Sequence, residues 1–183
     1  SGDAIKPEWG NITVSKKTDG VSWGALYWQY FENLDKITFA ETNLKLSKKL
    51  MLVKVGDAGI SMSPITEKTI LAPGDKVRVR IELRSDRDME YVHLKDMRAS
   101  CFEPVNVLSR YKWQDGLGYY ESTKDAATNF FIEYLRKGTY VFEYDLLVSH
   151  VGDFSNGISS IQCMYAPEFT AHSEGIRVTV KGK

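Results

Sequence analysis

Three histidines, two cysteines and one run of carboxylates are the residues here whose types could do chemistry. Nucleophilic catalysis needs an activated Ser or Cys beside a base, and the sequence holds no Gly-x-Ser-x-Gly elbow and no recognisable Cys/His signature. His93, His150 and His172 fall in three separate segments, so each reads as a surface or strand-edge histidine rather than a metal ligand. Asp86, Asp88 and Glu90 could supply an acid/base pair of the glycosidase kind. Alternating with Arg84 and Arg87, they read better as a solvated turn between strands. There is no P-loop and no Gly-x-Gly-x-x-Gly motif. No catalytic, cofactor-binding or metal-binding residue is therefore assigned, and the chain is expected not to be an enzyme. Cys101 and Cys163 do not form a Cys-x-x-Cys pair and have no neighbouring ligands at zinc-site spacing. They read as two buried small apolar side chains or, in an oxidising compartment, as a disulfide that would stabilise the fold by about 4 kcal/mol on the chain-entropy model.

The segment Tyr111-Lys112-Trp113-Gln114-Asp115-Gly116-Leu117-Gly118-Tyr119-Tyr120 is the most distinctive in composition. Placed on a loop between strands, Tyr111, Trp113, Tyr119 and Tyr120 form a candidate interaction surface, because aromatic rings give a large contact area at low entropic cost. Such rings can stack on a sugar, anchor a partner, or cover an open end of the domain.

The elements that must carry these residues are strands. Val77, Val79, Ile81 and Leu83 alternate with Lys76, Arg78, Arg80, Glu82 and Arg84, the pattern of a half-buried strand. A second alternation runs from Tyr140 to Val148, and shorter ones occur at Ile12 and Val14, at Ile161, Cys163 and Tyr165, and at Ile176, Val178 and Val180. Leu26 to Phe31 suggests a strand buried on both faces. Ala72-Pro73-Gly74-Asp75, Arg136-Lys137-Gly138 and Asn156-Gly157 supply turns. Asp125 to Leu135 fits both periods, but the β-branched and aromatic content around Phe130 and Ile132 favours a strand and a hairpin with the strand that follows. The class this predicts is all-β, an antiparallel β-sandwich of immunoglobulin-like architecture. A seam is expected near 57–64, leaving a partial β region at 1–60 and a complete sandwich at 61–183.

The chain has 183 residues, 43% hydrophobic and 26% charged, enough for a real core. Equal numbers of acidic and basic residues give a net charge of zero, so no overall field favours nucleic acid as a partner. No apolar run of 18 residues occurs, hence no membrane span in this segment. Ser1-Gly2 reads as a cloning remnant, so the chain is expected to be a piece of a longer protein.

Three stretches resemble, in order and spacing, the C-terminal part of bacterial alpha-2-macroglobulin family proteins, especially those of Bacteroidetes. They are Val21-Ser22-Trp23-Gly24-Ala25-Leu26-Tyr27-Trp28-Gln29-Tyr30-Phe31; Leu71-Ala72-Pro73-Gly74-Asp75-Lys76-Val77 through Tyr91-Val92; and Gly138-Thr139-Tyr140 through Gly152-Asp153-Phe154-Ser155 to Met164-Tyr165-Ala166-Pro167-Glu168-Phe169. The resemblance implies a macroglobulin-like domain at 61–183, with residues 1–60 following the helical thioester-type domain. It further implies a cell-envelope (periplasmic or outer-membrane lipoprotein) or secreted protein that entraps proteases. The expected partners are other domains of the same chain and the trapped proteases. The family's thioester motif is Cys-x-Glu-Gln, and neither Cys101 nor Cys163 stands in it, so no reactive position carries over. The alternative reading is a carbohydrate-binding sandwich that uses the Tyr111–Tyr120 segment as a stacking platform.

Overall fold

The structure, a computed structural model, describes residues 6–24, 31–57 and 59–182. The chain divides into two compact units, Ser1–Glu32 and Asn33–Lys183. In the first, the described residues hold a short 3-10 helix at Pro7–Gly10, started by a proline whose missing N–H costs nothing at that position. Ile12 and Val14 lie in irregular, exposed backbone instead of the expected strand. The strand expected over Leu26 to Phe31 falls mostly outside the described residues.

In the second unit, a 3-10 turn at Leu34–Lys36 precedes fourteen strands. They are β1 (Leu44–Gly56), β2 (Gly59–Pro64), β3 (Ile70–Leu71), β4 (Lys76–Ser85), β5 (Met89–Met97), β6 (Phe102–Pro104) and β7 (Arg110–Gln114), then β8 (Leu117–Thr123), β9 (Ala127–Leu135), β10 (Gly138–Val148), β11 (Gly152–Asn156), β12 (Ser159–Cys163), β13 (Thr170–His172) and β14 (Ile176–Val180). They form a five-stranded sheet, β2-β1-β4-β10-β6, a six-stranded sheet, β13-β12-β5-β9-β8-β7, and a three-stranded sheet, β11-β14-β3. Pairing is antiparallel except between β14 and β3. The all-β sandwich read from the alternations is the fold observed.

The two larger sheets share one core. Leu44, Leu46, Leu50, Val77, Val79, Ile81, Leu83, Phe142 and Leu146 come from the five-stranded sheet, and Val92, Leu94, Tyr119, Phe130, Ile132 and Ile161 from the six-stranded sheet. Each set follows the period of two, so a one-residue slip in register would turn it out to water.

The sequence-level reading misplaces three connections. β1 pairs with β4 from Leu44↔Ser85 to Val53↔Lys76, so residues 44–56 are a strand of the sandwich itself. The glycine- and serine-rich stretch expected as a seam is the β1–β2 hairpin, closing at Gly56↔Gly59. The Arg136–Gly138 turn does not close a hairpin, because β9 already lies between β5 and β8 while β10 lies between β4 and β6. The turn carries the chain from one sheet to the other. Asn156-Gly157 does the same between β11 and β12. A Cβ at Gly157 would sit 2.3 Å from that of Met97, so only glycine passes there.

A polar cluster ties the sheets together through this core. Lys48 of β1 and Asp96 of β5 form an ion pair at 2.6 Å with side chains 3% and 0% exposed. The ammonium also donates to the Met97 and Gly157 carbonyls at 2.7 and 2.9 Å. Asp96 accepts from Ser159 Oγ at 2.6 Å and from the Tyr144 hydroxyl on the opposite sheet. Burial pulls the Lys48 pKa down, opposed by the Asp96 charge. It pushes Tyr144 well above its ordinary value, and the adjacent carboxylate adds to that shift. Burying two charges is tolerable only when each is paired and hydrogen-bonded. Lys48→Met should therefore cost roughly 3–5 kcal/mol in denaturant unfolding, by stranding the Asp96 carboxylate. The same substitution in an Asp96→Asn background should cost much less.

Candidate interaction face

The aromatic segment expected on a loop is a β-hairpin, β7 and β8, reversing at Asp115-Gly116. These residues have φ of 50° and 77°, the left-handed pair that a tight two-residue hairpin turn demands. Alternation sorts its side chains. Tyr111 and Trp113 point outward, 79% and 80% exposed, and Tyr120 beside them is half-buried. Tyr119 points the other way. It is 5% exposed, with its ring 5.2 Å from Phe142 and 5.9 Å from Phe130, so it belongs to the core and offers little of its ring to a partner. Inward-facing Lys112 grips buried Glu121 with bonds of 2.8 and 2.7 Å. Gln114 donates to the Val141 carbonyl of the facing sheet.

Register extends the outward rings into a row. Tyr111 lies opposite Tyr120, Tyr120 opposite Phe131, and Phe131 opposite His93, crossing β7, β8, β9 and β5. Tyr111 and Tyr120 meet edge to face at 5.0 Å and 61°, while His93 stacks on Phe131 at 4.7 Å and 8°. The Trp113 indole lies over Gly118, where an added Cβ would be 3.0 Å from the ring. Beyond the row, Tyr91 holds a left-handed φ of 54° within β5 and meets the exposed Tyr165 ring edge-on at 5.2 Å. Such backbone strain in a non-glycine residue is uncommon and gathers at functional positions. Tyr91, His93, Tyr111, Trp113, Tyr120 and Phe131 line a groove of about 660 Å³, which Tyr119 and Tyr140 also border and of which Glu90, Glu133 and Arg136 are charged members. Sequence reasoning missed Phe131, His93, Tyr91 and Tyr165. The phase of the β9 alternation, with Phe130 and Ile132 inward, was the signal that could have put Phe131 outside.

The other chemistry-bearing residues do not converge. His93 bonds Asn129 at 3.0 Å, His150 Nδ1 lies 2.7 Å from Ser149 Oγ, and His172 Nδ1 donates to the Ser173 carbonyl. Asp88 accepts from the Lys137 amide at 2.7 Å and the Tyr134 hydroxyl at 2.8 Å, and Asp86 from Asn43 at 2.7 Å. These bonds hold both carboxyls below their ordinary pKa, the opposite of what a general acid needs. Among the described residues, no group of three His, Cys, Asp or Glu side chains could hold a metal ion.

Both thiols are free and buried, and the disulfide considered from the sequence is not formed. Cys163 ends β12 in the six-stranded sheet and donates to the Glu90 carbonyl at 3.3 Å. Cys101 precedes β6 at the rim of the five-stranded sheet.

The layered antiparallel strands with one shared core define a macroglobulin-type β-sandwich. Over 79% of this chain the elastase-activated alpha-2-macroglobulin of Escherichia coli superposes with a TM-score of 0.63 at 15% identity. The trypsin-activated form of the E. coli protein gives 0.62 at 12% identity over 79%. The Y1175G mutant of Salmonella alpha-2-macroglobulin gives 0.59 at 15% over 78%. The matched region is 14%, 11% and 10% of those chains, so this chain spans about a tenth of their length. No curated protein sequence matches significantly. The family model for the bacterial alpha-2-macroglobulin MG10 domain matches residues 44–168, and the chain belongs to that family. The match runs unbroken through 57–64, in keeping with the hairpin found there.

Two predictions follow from the geometry. Tyr111→Ala and Trp113→Ala should each cost no more than about 1 kcal/mol of unfolding free energy, the size of a cross-strand pair, whereas Tyr119→Ala should cost roughly 3–5 kcal/mol. Burial raises the Cys101 thiol pKa from 9.0 to about 11. Its contribution is therefore fully present below pH 9 and is lost as pH rises through 11, by up to ~3 kcal/mol. Cys101→Ala should flatten that part of the stability profile.

Proposed function

We propose that this chain is a non-catalytic structural and interaction domain of a bacterial alpha-2-macroglobulin-type protein that entraps proteases. Its aromatic face would be the surface that packs on other domains of the same polypeptide. The observation that carries the reading is the unbroken MG10 match over 44–168, joined to a row of rings exposed on that domain. Exposed apolar patches with polar rims mark contact surfaces. Solved relatives are described as activated by porcine elastase and by trypsin, which supports a protease as the agent the full protein meets. Cell-envelope or secreted location follows from the same reading. No helix among the described residues is long and apolar enough to cross a membrane.

Ring geometry favours a polypeptide surface over a sugar. Tyr111 and Tyr120 meet at 61° and Tyr119 is buried, so these three rings do not form one flat platform.

The test is protease trapping by the full-length protein carrying Tyr111→Ala, Trp113→Ala and Phe131→Ala. A large loss of trapped elastase, with the melting temperature of the 183-residue chain nearly unchanged, is the expected outcome. Unaltered trapping, with this face replaced or the whole domain deleted, would count against the proposal.

A further inference from the structure

Sheet edges expose unpaired N–H and C=O groups, and proteins blunt them with short strands, charge, proline or a covering segment. Three edges of the two large sheets are managed in these ways. β13 has three residues, and its His172 exchanges two backbone bonds with Ala40, at 3.1 and 2.9 Å. β6 has three residues and ends in Pro104. β7 carries Arg110 and Lys112.

Among the described residues, β2 has no comparable protection. Its six residues, Gly-Ile-Ser-Met-Ser-Pro, carry no charge, are all exposed, and reach proline only at the last position. The Ile65 amide donates to the Leu50 carbonyl at 2.8 Å. That bond fixes the phase of the ladder: residues 61 and 63 bond β1, and Ile60 and Met62 aim their N–H and C=O groups at the open edge. In register, Ile60 faces Val55 and Met62 faces Val53. Val55, Ile60 and Met62 are 79%, 71% and 51% exposed. The hairpin also runs past the sheet, since β4 pairs with β1 only as far as Val53. A two-stranded ribbon with a bare apolar face is marginal in water.

We propose that β2 accepts an antiparallel or parallel strand from another domain of the same polypeptide, lengthening the five-stranded sheet by one. The inference rests on the chain being one domain of a longer macroglobulin. Main-chain bonds to Ile60 and Met62 would supply affinity, and alternate apolar side chains lying beside those two residues would supply specificity. The occupant is argued from length. In the solved relatives the matching domain is only 10–14% of the chain, so most of the available polypeptide is tethered to it. A tether raises the local concentration of a linked strand to about millimolar, ahead of any second copy.

Amide hydrogen exchange at Ile60 and Met62 decides the matter, compared between the 183-residue chain and the longer polypeptide containing it. Exchange at least about tenfold slower in the longer form is expected. Equal, fast exchange in both would overturn the proposal. So would protection already present in the 183-residue chain that grows with concentration and accompanies a dimer in sedimentation, which would make a second copy the occupant. A reading frame without further macroglobulin domains would sink the function proposed above, and this occupant with it, before any exchange is measured.

Discussion

The Lys48–Asp96 pair sets the terms for the rest of the fold. Two opposite charges with almost no solvent contact can exist only if every remaining donor and acceptor finds a partner. Here the partners are recruited from both sheets: Tyr144 and Lys48 from one, Ser159 and Asp96 from the other, with the carbonyls of Met97 and Gly157 closing the shell. Among the described residues no buried side-chain polar atom lacks a partner. Hydrophobic burial brings two sheets together but does not fix their relative slide, because it is non-directional. The cluster adds direction. It also explains why Gly157 admits no side chain, since that backbone must approach Met97 closely enough for one ammonium to reach both carbonyls.

Most of the fold was legible because alternation is a strong signal wherever one face is dry. β4, β10, β12 and β14 all lie where apolar residues recur at every second position. What could not be read was which strand sits beside which. The turn at Arg136–Gly138 looks the same in sequence whether it closes a hairpin or crosses between layers. The difference lies in β5 and β8, distant in sequence, which had already taken both sides of β9. The buried polar cluster was equally hidden. Lys48 shares the phase of Leu44, Leu46, Leu50 and Leu52, so alternation marks it as inward, but nothing in the sequence names Asp96, far along the chain, as the charge that meets it.

The candidate face was legible in composition and misread in geometry. A dense run of aromatics and glycines pointed to exposed rings, but a loop and a hairpin present such a run differently. In a hairpin every second ring is committed to the core, which is why Tyr119 and Tyr120, adjacent in sequence, have opposite fates. The remaining rings came from β5, β9 and the segment after β12, brought into line by register alone. The domain therefore carries two unlike surfaces, an aromatic one on the outside of the six-stranded sheet and an uncharged backbone edge on the five-stranded sheet.

The ion pair of Lys112 and Glu121 beneath the aromatic hairpin bears on how such a surface can change over time. Folding information in β7 resides in the inward residues Lys112 and Gln114, which hold the strand to Glu121 and to the Val141 carbonyl. The outward residues Tyr111 and Trp113 meet their hairpin neighbours, Tyr120 and Gly118, and leave most of their surface to solvent. Residues that hold the strand and residues exposed to solvent thus occupy alternate letters of the same strand. A lineage can redraw the outer face to follow a changing neighbour while the scaffold beneath stays under separate selection.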